Sequence, residues 1–82
     1  MRPPKGLTRD TAAVYQIRVQ GCLDESWSVH MNGVNIQVQD LPDEALVTVL
    51  TGRFVDQAAL IGVITSLYDL GLSLLSVEVL GE

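Results

Sequence analysis

In the run from Val14 to Gln20, Tyr15, Ile17 and Val19 alternate with Gln16, Arg18 and Gln20. A period of two marks a strand with one buried face and one wet face. The period recurs from Asn35 to Gln39, with Ile36 and Val38 set among Asn35, Gln37 and Gln39. Two further strands are expected. Ala45 to Thr51 places Val47 and Val49 opposite Leu46 and Leu50, and Leu74 to Leu80 places Leu75, Val77 and Val79 opposite Leu74, Ser76, Glu78 and Leu80. The run Asp40-Leu41-Pro42-Asp43-Glu44 has turn chemistry and predicts an antiparallel hairpin between the second and third strands.

Between the last two strands the period changes to that of a helix, expected over about 57–70. Asp56 is the predicted N-cap, since its carboxylate can accept the free amide hydrogens of the first turn. Val55 and Leu60 have the spacing of a hydrophobic staple. Gly71 is the predicted stop, with Leu72 folding back on Leu67. At 100° per residue, Ala59, Leu60, Ile61, Val63, Ile64, Leu67, Tyr68 and Leu70 fill an arc of roughly 200°, about twice the width of an ordinary core-facing stripe. The other side carries Ala58, Gly62, Thr65, Ser66 and Asp69, with no lysine, arginine or glutamate. Surface helices are normally laced with such charges, so cover from more than one side is expected, and Ile61, Gly62, Val63, Thr65 and Tyr68 are the candidate interface residues.

The segment from Cys22 to Gly33 offers a cap at Asp24, apolar positions at Trp27 and Met31, and a stop at Asn32-Gly33, which predicts a short helix with Trp27 as a core anchor. With that helix the order becomes strand, short helix, two strands, long helix, strand. This is the α+β pattern of a ferredoxin-like sandwich, with helices on one face of a four-stranded, mostly antiparallel sheet. A loop in its place would leave the first three strands as a meander. Either way one sheet face is thinly covered. Gly52 reads as the turn that ends the third strand.

Composition sharpens the expectation of self-association. Apolar residues make up 48% of the 82 and charged residues 18%, below the roughly 25% usual in soluble domains. A single domain of this size is marginal alone, and disulfides, metals or oligomerisation are the usual supports. Cys22 is the only cysteine, which excludes an internal disulfide and a multi-thiolate zinc site. No metal or cofactor is expected, and a homo-oligomer is. Charge divides the chain at its start: residues 1–9 carry +3 and the remainder −8. Residues 1–12 therefore read as a flexible basic arm and 13–82 as one acidic domain, a balance that argues against nucleic acid as partner. A membrane span is not expected, because Asp69 and Gly71 interrupt the apolar run. The first apolar run is broken by Gln16 and Arg18, unlike a secretory signal, and the default compartment is the cytoplasm.

Catalytic chemistry finds little purchase. Cys22 and His30 could form a nucleophile and base, but eight helical residues would separate them by roughly 12 Å. Asp24-Glu25 and Asp43-Glu44 sit where caps and turns favour acids. An anion site at Gly52-Arg53 competes with Asp56, whose carboxylate would already occupy the helix start.

The elements Val19 to Trp27, Leu50-Thr51-Gly52, Asp56 to Leu60, Asp69 to Leu72 and Leu74 to Val77 together resemble a family of small uncharacterised bacterial proteins, over nearly all of residues 14–79. The resemblance implies no particular activity. Residues 56–77 are also similar, more weakly, to ACT domains, which implies a small-molecule-sensing regulatory role. The expected function is that of a self-associating interaction or adaptor domain without catalysis, with the ACT-like role as the alternative.

Overall fold

A computed structural model describes residues 11–40, 42 and 46–81. Most of the basic arm, most of the turn at 40–44 and Glu82 lie outside them. Four strands, β1 (Ala13–Gln20), β2 (Asn35–Gln39), β3 (Val47–Phe54) and β4 (Ser73–Gly81), form one antiparallel sheet in the order β2-β3-β1-β4. One α-helix, α1 (Gln57–Asp69), joins β3 to β4, and a 3-10 helix (Glu25–His30) lies between β1 and β2. The class is α+β, as the alternation of periods predicts.

The sheet buries one face under α1. Ala13, Tyr15, Ile17 and Val19 of β1 share that face with Leu50 and Phe54 of β3, Ile36 of β2, and Leu60, Val63 and Leu67 of α1. The Tyr15 and Phe54 rings meet edge to face at 5.9 Å, a favourable aromatic geometry. Leu23, Met31 and Val34, from the connection around the 3-10 helix, close the core at the β2 side. The opposite face carries Gln16, Arg18, Gln37 and Glu78. Val47 and Val49 lie on that face too, opposite Gln20 and Gln39 and opposite Arg18 and Gln37, and both are nonetheless buried, in keeping with long polar side chains covering apolar neighbours.

Five local expectations are corrected. Gly52 is not a turn: β3 runs through it to Phe54, and Gly52 pairs with Tyr15. A Cβ there would lie 2.8 Å from Val34 Cγ1 and 3.2 Å from Val34 Cα, so glycine is required by the close approach of another backbone. Trp27 is not a core anchor. It stands 38% exposed on a 3-10 helix that buries none of its residues, because six residues of this narrow helix present no continuous apolar stripe. Val55, 70% exposed, makes no staple with buried Leu60. The 200° arc on α1 divides, since Leu60, Val63 and Leu67 are buried while Ile61, Tyr68 and Leu70 are exposed. Finally, β4 does not alternate simply: its register against β1 shifts at two points, so Leu74, Val77 and Val79 pair with Val19, Ile17 and Tyr15 on the helix-side face.

A hydroxyl supplies the tie that sequence periodicity does not reveal. Thr48, fully buried in β3, donates to the Gly21 carbonyl at 2.7 Å and accepts from the Leu23 amide at 3.1 Å. With the Gly21 amide donating to the Leu46 carbonyl at 2.7 Å, it fastens the exit of β1 to the start of β3.

Candidate interaction surface

The ends of α1 set its position. Asp56 has extended backbone and its carboxylate accepts the Ala59 amide hydrogen at 2.9 Å, the predicted N-cap. Gly71 takes φ +84, a conformation glycine adopts without steric cost. There the Gly71 amide donates to the Tyr68 carbonyl at 2.9 Å and the Leu72 amide to the Leu67 carbonyl at 3.1 Å, the paired bonds of a Schellman stop. Leu72 packs against the core that holds Leu67. The chain thus turns within three residues from α1 into β4, and the two lie side by side.

Between them runs a groove of about 750 Å³ lined by Val19, Ile64, Leu67, Tyr68, Leu72 and Leu74, with Asp69 and Ser73 as its polar groups. Ile61, Ile64, Thr65 and Tyr68 fall along one helix flank at 100° per residue, and that flank faces the groove through Ile64 and Tyr68. Tyr68 is 78% exposed and Ile61 59%. On β4, Leu74, Leu75, Val77, Val79 and Leu80 are each 38–51% exposed. Ser66, on the far flank, donates its hydroxyl back to the Gly62 carbonyl at 3.0 Å, so that polar group is satisfied inside the helix. Of the interface residues expected from sequence, Ile61, Gly62, Thr65 and Tyr68 are exposed. Val63 is corrected: at 5% exposure it belongs to the core of its own chain, because it lies on the arc between Leu60 and Leu67 that meets the sheet.

The residues weighed for catalysis do not converge. Exposed Cys22 lines a separate shallow groove with Asp24, Glu25 and residues 36–39, whereas the His30 ring meets Trp27 edge to face at 5.6 Å. The Asp24 carboxylate caps the 3-10 helix by accepting the Ser26 amide at 2.8 Å. That backbone bond, with a second from the Ser26 side chain, holds its pKa below the ordinary value of 3.8. The arrangement explains Asp24 as a cap. At Gly52-Arg53 the backbone is strand, the Arg53 carbonyl accepts the Asn32 side-chain amide at 3.2 Å, and Asp56 occupies the start of α1, which removes the anion site. Among the described residues no group of three or more histidine, cysteine or carboxylate side chains could hold a metal ion, and no helix is long and apolar enough to cross a membrane.

Sequence reasoning located the helix flank but missed the larger part of the surface, the exposed β4. The signal was present in Leu74 to Leu80, where both strand faces are apolar. No curated protein and no solved structure matches the chain at a significant level. A sequence profile does match residues 14–78, most of the chain, and the chain belongs to the family it defines, a domain of unknown function, DUF8691.

Proposed function

We propose that the chain is a small self-associating interaction domain, a reduced ferredoxin-like sandwich in which the 3-10 helix stands where a first helix would lie. The observation that carries this reading is the set of exposed apolar residues on neighbouring elements, Ile61 and Tyr68 on α1 and Leu74, Val77 and Val79 on β4, with Tyr68 and Leu74 lining one groove. Single exposed apolar residues are ordinary, but larger apolar patches mark interaction sites. The ferredoxin-like part of the reading draws its support from the strand order β2-β3-β1-β4 and from α1 joining β3 to β4. The reading assigns no reaction to the domain and places it in the cytoplasm, where the exposed Cys22 thiol stays reduced.

Light scattering tests the proposal through the band itself. Ile61→Lys and Tyr68→Lys alter exposed helix residues and leave the core intact, so both variants are expected to fold and to associate more weakly than the parent. Unchanged association of the double variant would remove α1 from the surface. A second reading, the ACT-like sensor, draws on the groove between α1 and β4, whose volume lies in the range of small-molecule sites. A thermal-shift screen with free amino acids favours that reading if one of them raises Tm, since a ligand selective for the native state stabilises it.

A further inference from the structure

We propose that the partner is a second copy of this chain, joined edge to edge through β4 in antiparallel register about a twofold axis at Val77, so that two four-stranded sheets become one of eight strands. The inference rests on the self-association reading above and specifies how it is achieved.

The first argument is hydrogen-bonding capacity. β4 pairs with β1 on one side and is the last strand of the sheet on the other. Among the described residues no strand pairs with its outer edge, and the amide and carbonyl groups along such an edge form a pattern that another β-strand complements. Natural edge strands are usually blunted by shortness, proline or lysine. The opposite edge fits that rule, since β2 has five residues with polar Asn35, Gln37 and Gln39. β4 does not: it contains no proline, lysine or arginine, and its one charge is Glu78.

The second argument bears on the register. The shifts against β1 fall beside Leu75 and Leu80 and leave Ser76 to Val79 as a regular run opposite Tyr15 to Arg18. A twofold axis perpendicular to the sheet keeps both helices on one face only if the residue on the axis meets itself. Centring on Glu78 would set two carboxylates directly opposite, which is unfavourable. Centring on Val77 sets valine against valine and places Ser76 across from Glu78 of the partner subunit. The Ser76 hydroxyl, buried without a hydrogen-bond partner in the single chain, then has a carboxylate as its cross-strand neighbour.

The third argument is the helix flank of Ile61, Thr65 and Tyr68, which carries no charge. With strands about 4.8 Å apart, the two copies of β1 stand roughly 14 Å from each other. α1 borders the groove above Val19 together with Leu74, and the helix-side residues Leu74, Val77 and Val79 of β4 stay 38–51% exposed beside it. The groove sides of the two helices then face each other across the joined β4 strands. The flanks brought together are Ile61, Thr65 and Tyr68, without a charge to desolvate. The exposed apolar residues available to that interface are Ile61 and Tyr68 on α1 and Leu74, Val77 and Val79 on β4.

Cysteine cross-linking in a Cys22→Ser background tests the geometry. Val77→Cys brings two thiols face to face across the axis and is expected to give a covalent dimer on mild oxidation at least tenfold faster than Val29→Cys, placed on the exposed 3-10 helix. Separately, Val77→Lys sets two ammonium groups opposite each other and is expected to raise the dimer dissociation constant about tenfold or more, with circular dichroism checking that the variant folds. If the parent dimerises but Val77→Cys cross-links no faster than Val29→Cys, the β4 pairing is wrong while self-association stands. A parent chain that is monomeric throughout the micromolar range overturns both.

Discussion

Replacing Thr48 by valine isolates the contribution of one buried hydroxyl with almost no change of shape. The hydroxyl is fully enclosed, donates to Gly21 and accepts from Leu23. Valine removes both bonds and strands a carbonyl and an amide, each at a cost of about 1–3 kcal/mol where water cannot reach. The bond from Leu23 is buried but that to Gly21 is only partly so, which places the expected loss near the lower end, about 2–3 kcal/mol in all. For a domain of this size each kcal/mol corresponds to roughly 4–8 °C in Tm, so the valine variant should melt roughly 10–20 °C below the parent. Urea unfolding at pH 7 and fixed protein concentration measures the loss directly. Concentration must be held constant because association adds to apparent stability. Thr48→Ser provides the contrast, since it keeps the hydroxyl and gives up one methyl group, about 1 kcal/mol. Valine within 0.5 kcal/mol of the parent, or serine less stable than valine, would refute the assignment of this hydroxyl as the tie between β1 and β3.

Three further outcomes are expected. Gly52→Ala forces a methyl group against the Val34 backbone and side chain and should cost about 1–3 kcal/mol in urea unfolding; a neutral effect would mean that the β2 side of the sheet yields freely. Asp56→Ala removes the cap on the Ala59 amide and should cost about 1 kcal/mol, whereas Asp56→Asn should restore most of it. Asp24 should titrate below 3.8 when followed by NMR. Because the folded value is the lower one, its stabilising effect is present above the unfolded pKa and disappears as pH falls through the folded pKa. Ser26→Ala should move that titration upward, since the Ser26 side chain is one of its causes.

Local chemistry was readable from sequence wherever a residue acts on its near neighbours. Asp56 caps an amide three residues away and Gly71 closes a turn of five, so composition and spacing sufficed for both. Period-two alternation likewise gave β1 and β2 almost to the residue. What escaped depends on distant partners. Gly52 is glycine because of Val34, eighteen positions earlier in the chain, and no local pattern distinguishes that from a turn. The arc on α1 was visible, but its division between core and surface is set by where the sheet lies, which placed Val63 inside and Tyr68 outside. Trp27 has the composition of an anchor but stands on a helix too short and narrow to bury it. The register shifts in β4 moved Leu74 onto the same face as Val77 and Val79, and the three form the β4 part of the exposed band. The missing helix charges, visible in sequence, mark one side of that band.

Sedimentation equilibrium of the unmodified chain across the micromolar range tests the central claim, that this band is covered by association. The account predicts a concentration-dependent rise in mass towards twice the 8.9 kDa of the single chain. A constant mass of 8.9 kDa at every concentration would contradict it.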